Sequence, residues 1–120
     1  MTNRPKIYFL GSGMIAVPVL KALATAGGLE LIGVGTQLDR PAGRNRRPTP
    51  TPVSAAALEL GLEPERIASV NDPAYQESLK LRRPDLILVV SFGQILRAPL
   101  LALPPKGCVN IHASLLPRYR

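Results

Sequence analysis

Short apolar runs that alternate with segments of helical spacing are the feature of this sequence that most restricts its fold. They are dense in Leu, Ile and Val, and Leu29–Thr36 shows little polar alternation, which is typical of a strand covered on both faces. The predicted strands are Ile7–Leu10, Leu29–Thr36, Arg66–Val70, Asp85–Val90 and Cys108–Ile111. The predicted helices are Ile15–Ala26, Val53–Leu60, Pro73–Arg82 with Asp72 as its cap, and a short piece at Leu100-Leu101. This alternation predicts an α/β fold, a Rossmann-like parallel sheet with flanking helices whose binding groups collect at the carboxyl ends of the strands.

Length and composition limit the chain to one basic domain. Its 120 residues suffice for a single core, and 15 basic against 8 acidic side chains give a net charge of +7. The apolar stretch from Asp85 to Ile95 is interrupted by polar residues and is far shorter than the ~20 residues of a membrane helix. Cys108 is the only cysteine, which excludes an internal disulfide and a cysteine-based metal site. We therefore expect a cytoplasmic protein without a metal or a targeting segment.

Residues 37–52 form a segment, here called the arginine loop, that is rich in both proline and arginine. Its chain-breaking residues predict a long loop without regular structure; they are Pro41, Gly43, Pro48, Pro50 and Pro52. Its basic residues are Arg40, Arg44, Arg46 and Arg47. Composition leaves two interpretations open, a solvated tether and an arm that neutralises nucleic-acid phosphates. Since no aromatic residue lies in the loop, any nucleic-acid contact would be mainly electrostatic.

A glycine-rich turn follows the first predicted strand. Residues 11–16 read Gly-Ser-Gly-Met-Ile-Ala, which matches the loose G-x-G-x-x-G/A pattern of dinucleotide-binding turns. That pattern also requires an acidic residue at the end of the second strand, where this chain has Thr36 and Gln37. The alternative interpretation is that the glycines let the strand and the helix pack closely.

The last predicted strand carries two side chains suited to acyl transfer. Asn110 and His112 lie two residues apart, so both leave the same face of the strand near its carboxyl end. An amide can donate to an oxyanion as a carbonyl becomes tetrahedral, and an imidazole can move a proton or stabilise the same oxygen. Spacing alone leaves a structural role for both residues open.

Two segments of the chain resemble known sequence signatures. The run from Asn110 to Arg120 resembles N-x-H-x-S-L-L-P-x-x-R, the signature of the folate-dependent formyltransferases. The segment Thr36–Arg44 is similar to the T-Q-P-D-R-P-A-G-R loop of the tRNA-acting branch of that family, with Leu38 where proline is usual. Relatives that act on sugar nucleotides lack this loop. Phe9–Ser12 and Val90–Leu96 also resemble family segments, so the likeness covers essentially the whole chain.

The resemblance implies an activity in translation initiation: transfer of the formyl group of 10-formyltetrahydrofolate to the methionyl amino group of initiator Met-tRNA. Asn110 would donate to the developing oxyanion, and His112 would assist with charge and proton transfer. The folate pocket would be lined by Phe92, Gly93, Gln94, Ile95, Leu96, Ser114, Leu115, Leu116 and Pro117. The residues expected to lie against the acceptor arm of the tRNA are Arg40, Arg44, Arg46 and Arg47. The glycine turn would then be structural.

The resemblance also implies that further parts of the enzyme lie beyond Arg120. A third catalytic residue, an aspartate, and a C-terminal tRNA-binding domain are expected there. Residues 1–120 are thus expected to be the N-terminal portion of a truncated catalytic domain, inactive alone and monomeric when complete. Two other functions remain open at this point. One is a formyltransferase that acts on an amino-sugar nucleotide or another amine, and the other is a non-catalytic dinucleotide-binding module.

Overall fold

The computed structural model describes residues 4–42 and 47–111, which contain seven strands and four helices. The strands are β1 (Lys6–Gly11), β2 (Glu30–Gln37), β3 (Arg40–Ala42), β4 (Arg47–Thr49), β5 (Glu65–Ile67), β6 (Leu86–Val90) and β7 (Cys108–Ile111). The helices are α1 (Ala16–Thr25), α2 (Pro52–Glu59), α3 (Pro73–Arg82) and α4 (Ala98–Leu101). None of these helices is long and apolar enough to cross a membrane.

Five strands form one parallel sheet in the order β5-β2-β1-β6-β7. The chain moves outward from β1 through β2 to β5, and then crosses to the other side of β1 to form β6 and β7. The strand order therefore reverses between β1 and β6, where Gly11 and Val90 lie side by side at the carboxyl ends. Open α/β sheets bind their ligands at such a reversal point. The predicted Rossmann-like parallel sheet is confirmed.

Both faces of the sheet are covered by apolar side chains. Successive residues of β1 enter opposite cores, since Tyr8 and Leu10 pack with Leu79 whereas Phe9 packs with Leu20. All five side chains are fully buried. The two cores explain why the strands appear in the sequence as continuous apolar runs.

The arginine loop contains regular structure, so its prediction as wholly irregular is wrong. Strand β3 pairs antiparallel with β4, and Pro41 lies opposite Pro48. Proline has no N–H. Two opposed prolines therefore fit a position of the antiparallel ladder at which the facing residues exchange no hydrogen bonds. The flanking pair Arg40 and Thr49 can still form ladder bonds. The prolines thus select the register of this short ladder.

Two local predictions also need correction. Strand β5 ends at Ile67 rather than at Val70, whose N–H donates to the Gln94 side-chain oxygen instead of to a strand partner. Helix α3 begins at Pro73 as predicted, but the Asp72 carboxylate at its N-cap makes no capping hydrogen bond. The proline sets the start of this helix without help from the cap side chain.

A partly buried polar cluster joins β1, β5 and α3 on one face of the sheet. The fully buried Tyr8 hydroxyl donates to Glu65 Oε1 at 2.8 Å and accepts from the Tyr75 hydroxyl at 2.8 Å. Arg82 forms a two-pronged ion pair with Glu65, and its guanidinium lies 5.4 Å from the centre of the Tyr8 ring. A side chain at Gly33 or Gly35 would collide with Tyr8, because a Cβ at either position would lie 2.7 Å from a Tyr8 atom.

From this cluster we predict that the protein becomes less stable at alkaline pH. Burial, the largest cause, raises the pKa of Tyr75 to about 12 from its ordinary value of 10.0. The unfolded chain loses this proton near pH 10 while the folded chain keeps it, so the free energy of unfolding falls as pH rises from about 10 to 12. The free energy of unfolding, measured with urea at several pH values across this range, should fall more steeply with pH for the unsubstituted chain than for Tyr75→Phe. Equal slopes would contradict the assignment.

Candidate functional site

The glycine turn packs directly on the carboxyl end of β6. The N–H groups of Ser12 and Gly13 both donate to the Ser91 carbonyl oxygen, at 2.9 and 3.1 Å. A Cβ at Gly13 would lie 2.5 Å from Ser91 Oγ, and one at Gly11 would lie 2.8 Å from the Val90 carbonyl oxygen. The glycines therefore serve close packing, and the two amides that a pyrophosphate would need are already bonded.

Residues 91–97, here called the β6–α4 loop, leave the sheet through an unusual backbone turn. Ser91 has φ +49° and Gly93 has φ +95°, so both lie in the left-handed region. A serine adopts this conformation at a cost in energy, which the two hydrogen bonds to its carbonyl oxygen help to offset. Such a turn at the reversal point of the sheet is typical of a functional loop.

Side chains from outside the β6–α4 loop fix its second half. Asn71 Nδ2 donates to the Ile95 carbonyl oxygen at 2.9 Å, and Asn71 Oδ1 accepts from the Arg97 N–H at 3.1 Å. Within the loop, the Gln94 side chain reaches back to Val70 and to Gln37. Gln94 is a site residue predicted from the sequence, whereas Asn71 and Gln37 are not. Their proximity depends on long-range contacts that no local pattern reveals.

One cavity brings Asn110 together with the β6–α4 loop. It has a volume of about 310 Å³ and lies between the ends of β6 and β7, where Asn110 pairs with Val89. Its lining residues are Val89, Gln94, Ile95, Leu96, Leu101, Cys108 and Asn110. Four of these had been singled out from the sequence as site residues; they are Gln94, Ile95, Leu96 and Asn110.

A second cavity, of about 420 Å³, lies on the other side of the loop at the base of the arginine loop. Its lining residues are Ser12, Gly13, Gln37, Arg40, Thr51, Pro52, Ser91, Phe92 and Gly93. Phe92 and Gly93 therefore line this cavity and not the one that contains Asn110, although the Phe92 side chain is buried in the core. The β6–α4 loop forms the wall between the two.

Polar contacts fix the base of the arginine loop to the sheet. Thr36 and Thr51 hydroxyls lie 2.6 Å apart, and Thr51 also caps α2 by accepting from the Ser54 N–H. Arg66 of β5 forms an ion pair with Asp39 at 3.0 Å. Beyond this base, Arg40 and Arg47 lie exposed on β3 and β4.

The first cavity is lined mainly by apolar side chains, and none of its lining residues is charged. Burial raises the pKa of the Cys108 thiol, which keeps this side chain uncharged at neutral pH. Across residues 4–42 and 47–111, no cluster of three or more His, Cys, Asp or Glu side chains could hold a metal ion. The predicted site residues outside the described part of the chain are Arg44, Arg46, His112, Ser114, Leu115, Leu116 and Pro117.

Comparisons with known proteins identify the family to which this chain is similar. The family model described as Formyl transferase matches residues 5–120. Methionyl-tRNA formyltransferase of Moorella thermoacetica is 48% identical over 115 residues, and those of Chloroflexus aggregans and Methylococcus capsulatus are each 50% identical. Each match covers 96% of this chain but only 37% of the relative, so the chain spans little more than a third of their length.

A solved structure supports the fold independently. Glycinamide ribonucleotide transformylase 1 from Symbiobacterium toebii superposes with a TM-score of 0.63, covering 97% of this chain and 55% of the other. The two sequences are 21% identical, so this likeness bears on the fold alone.

Proposed function

This chain belongs to the formyl transferase family, and from that membership we propose that it forms part of an enzyme that formylates initiator Met-tRNA. The formyl donor would be 10-formyltetrahydrofolate, and the acceptor the methionyl amino group. The observation that carries the proposal is the shared cavity, in which Asn110 faces Ile95 and Leu96 of the β6–α4 loop.

The side chains that line the first cavity suit a folate ring chemically. Its walls are mainly apolar, with Leu96 and Leu101 able to contact the flat faces of a ring system. The Asn110 amide supplies a polar contact that orients a ligand in such a pocket, whereas the Gln94 amide is already hydrogen-bonded within the protein. Residues Ser114, Leu115, Leu116 and Pro117 are proposed to complete the wall, with Phe92 and Gly93 contributing to the loop from its far side.

The proposed chemistry needs an oxyanion donor and a proton carrier. When bound, the folate supplies the formyl group, which the methionyl amine attacks at carbon. Asn110 Nδ2 would donate to the formyl oxygen as this atom gains negative charge, an interaction stronger in the transition state than in the ground state. His112 would assist as the attacking nitrogen loses its proton and the folate nitrogen gains one.

The acceptor is proposed from the arginine loop and from the names of the relatives. Arg40 and Arg47 lie exposed on the β3–β4 pair, which projects from the carboxyl end of the sheet near the cavities. Together with Arg44 and Arg46 they would neutralise phosphates in the acceptor arm of the tRNA.

An acceptor competition tests the proposed function. We define the chimera as the Moorella relative with its matching segment replaced by this chain. Supplied with 10-formyltetrahydrofolate labelled in the formyl group, it should transfer the label to initiator Met-tRNA and not to amino-sugar nucleotides offered in equal amount. Label on a sugar would establish the other acceptor class, and label on neither would refute formyl transfer.

Removing charge from the arginine loop should weaken tRNA binding in a salt-dependent way. In the chimera, the double variant Arg40→Gln/Arg47→Gln should reduce the slope of log affinity against log salt by about one unit per lost phosphate contact. Filter binding of initiator tRNA at several salt concentrations measures this slope. Arg4→Gln is the matched control, since Arg4 is exposed near the amino end of β1, away from the site. An unchanged slope in the double variant would contradict the proposed RNA contact.

A further inference from the structure

Building on the proposed function, we infer that Gln37 is a positioning residue that holds the β6–α4 loop in its folate-binding shape. Gln37 is the last residue of β2, directly before the arginine loop. It belongs to the Thr36–Arg44 segment, in which the proposed function uses only the arginines. Its side chain contacts the loop from the face opposite Asn110.

The first contact is a hydrogen bond between two glutamine side chains. Gln37 Oε1 accepts from Gln94 Nε2 at 2.8 Å. The orientation of the Gln94 amide is fixed because its Oε1 accepts from the Val70 N–H at 2.8 Å. Its Nε2 also lies within 3.3 Å of the carbonyl oxygens of Ile67 and Ala68. The contact with Gln37 Oε1 is thus the shortest of the three acceptor contacts of this amide, and it leaves one N–H of Gln94 for the two carbonyl oxygens.

The second contact is with the strained part of the loop. A Cβ at Gly93 would lie 2.6 Å from Gln37 Nε2, so the Gln37 amide rests against the Gly93 backbone. Gly93 has φ +95°, a conformation that glycine adopts without strain. Because glycine has no side chain, the Gln37 amide can also approach its backbone closely. Gln37 thus touches two consecutive residues of the loop.

Gln37 is itself held firmly by the sheet. Its N–H donates to Ser12 Oγ at 3.1 Å, and its backbone pairs with Ile67 of β5. The adjacent Thr36 is bonded to Thr51 at the other end of the arginine loop. Through Gln37, the base of the arginine loop therefore supports the wall between the two cavities. A change at this base reaches the folate site without any contact between Gln37 and folate.

Three glutamine variants of the chimera test this role. Gln37→Met keeps the length of the side chain but removes the acceptor for Gln94. Gln37→Glu retains an acceptor oxygen at the same distance along the side chain. Gln76→Met is the matched control, because Gln76 Nε2 donates to the Val70 carbonyl oxygen at 3.0 Å and not to a residue of the β6–α4 loop. Calorimetry with tetrahydrofolate gives the Kd, and steady-state kinetics give KM and kcat.

The expected result follows from the loss of one hydrogen bond. Gln37→Met should weaken tetrahydrofolate binding by about fivefold to tenfold. It should raise the KM for the formyl donor by a similar factor and leave kcat nearly unchanged. Gln37→Glu should restore most of the affinity, and Gln76→Met should bind as the parent does.

Each hypothesis has its own contrary result. If the parent chimera does not bind tetrahydrofolate, the proposed function fails and the role of Gln37 fails with it. If the parent binds it and Gln37→Met binds equally well, only the role of Gln37 is overturned. The same holds if Gln37→Glu restores nothing or if Gln76→Met weakens binding as much as Gln37→Met.

Discussion

Replacing Asn110 with alanine is expected to lower kcat/KM for formyl transfer by the chimera by about 10²–10³-fold, the usual effect of losing one oxyanion donor. Asn110 lies at the carboxyl end of β7 on the wall of the apolar cavity. A donor in such a place acts on charge that develops only in the transition state, so most of the loss should fall on kcat. Single-turnover measurements with labelled formyl donor separate this step from product release.

The control for this prediction is Val109→Ala. Val109 is the neighbouring residue on β7, its side chain leaves the opposite face, and it is 46% exposed. The Val109→Ala variant of the chimera should keep kcat/KM for formyl transfer within about threefold of the parent value, as expected for a surface change outside the site. Unimpaired transfer by Asn110→Ala would contradict the proposed mechanism, even if the chimera acts on Met-tRNA.

Replacing Tyr8 with alanine is expected to lower the free energy of unfolding by about 3–5 kcal/mol, the usual cost of truncating a buried aromatic side chain. Tyr8 is fully buried in the central strand. Its loss opens a cavity beside Leu79, and it removes hydrogen-bond partners from Glu65 and Tyr75. This is a large fraction of the stability of a small domain, and urea unfolding measures it.

Two further variants separate the contributions at Tyr8. Tyr8→Phe keeps the ring and removes the hydroxyl, so it should cost about 1–2 kcal/mol. Leu81→Ala should change stability by less than about 0.5 kcal/mol, because Leu81 is 76% exposed. A cost for Tyr8→Ala no larger than that for Tyr8→Phe would show that the ring packing contributes little.

The sheet could be predicted from the sequence because its strands are buried on both faces. Continuous apolar runs such as Leu86–Val90 have few alternatives to a central strand, and Gly61 marks the end of a helix through its positive φ. The β3–β4 pair was missed because proline is read as a chain-breaker. Two prolines that face each other are compatible with a strand pair, because neither has to donate a hydrogen bond to the other. Only the three-dimensional register shows that Pro41 faces Pro48.

The candidate site was predicted in part. Spacing alone placed Asn110 at the carboxyl end of a strand, and the structure adds that it shares a cavity with Ile95 and Leu96. The supporting contacts of Asn71 and Gln37 were not predicted. They join residues 24 and 57 positions apart through side-chain hydrogen bonds, which depend on the packing of the whole sheet. The role of His112 remains a prediction from its spacing and from the family resemblance.

A crystal structure of the chimera with a tetrahydrofolate analogue that cannot release its formyl group tests the central claim most directly. The two cavities on either side of the β6–α4 loop make the result unambiguous. We predict that the analogue lies in the cavity lined by Ile95, Leu96 and Asn110, with its formyl oxygen within hydrogen-bond distance of Asn110 Nδ2. An analogue bound instead between the glycine turn and Arg40 would contradict the proposed site.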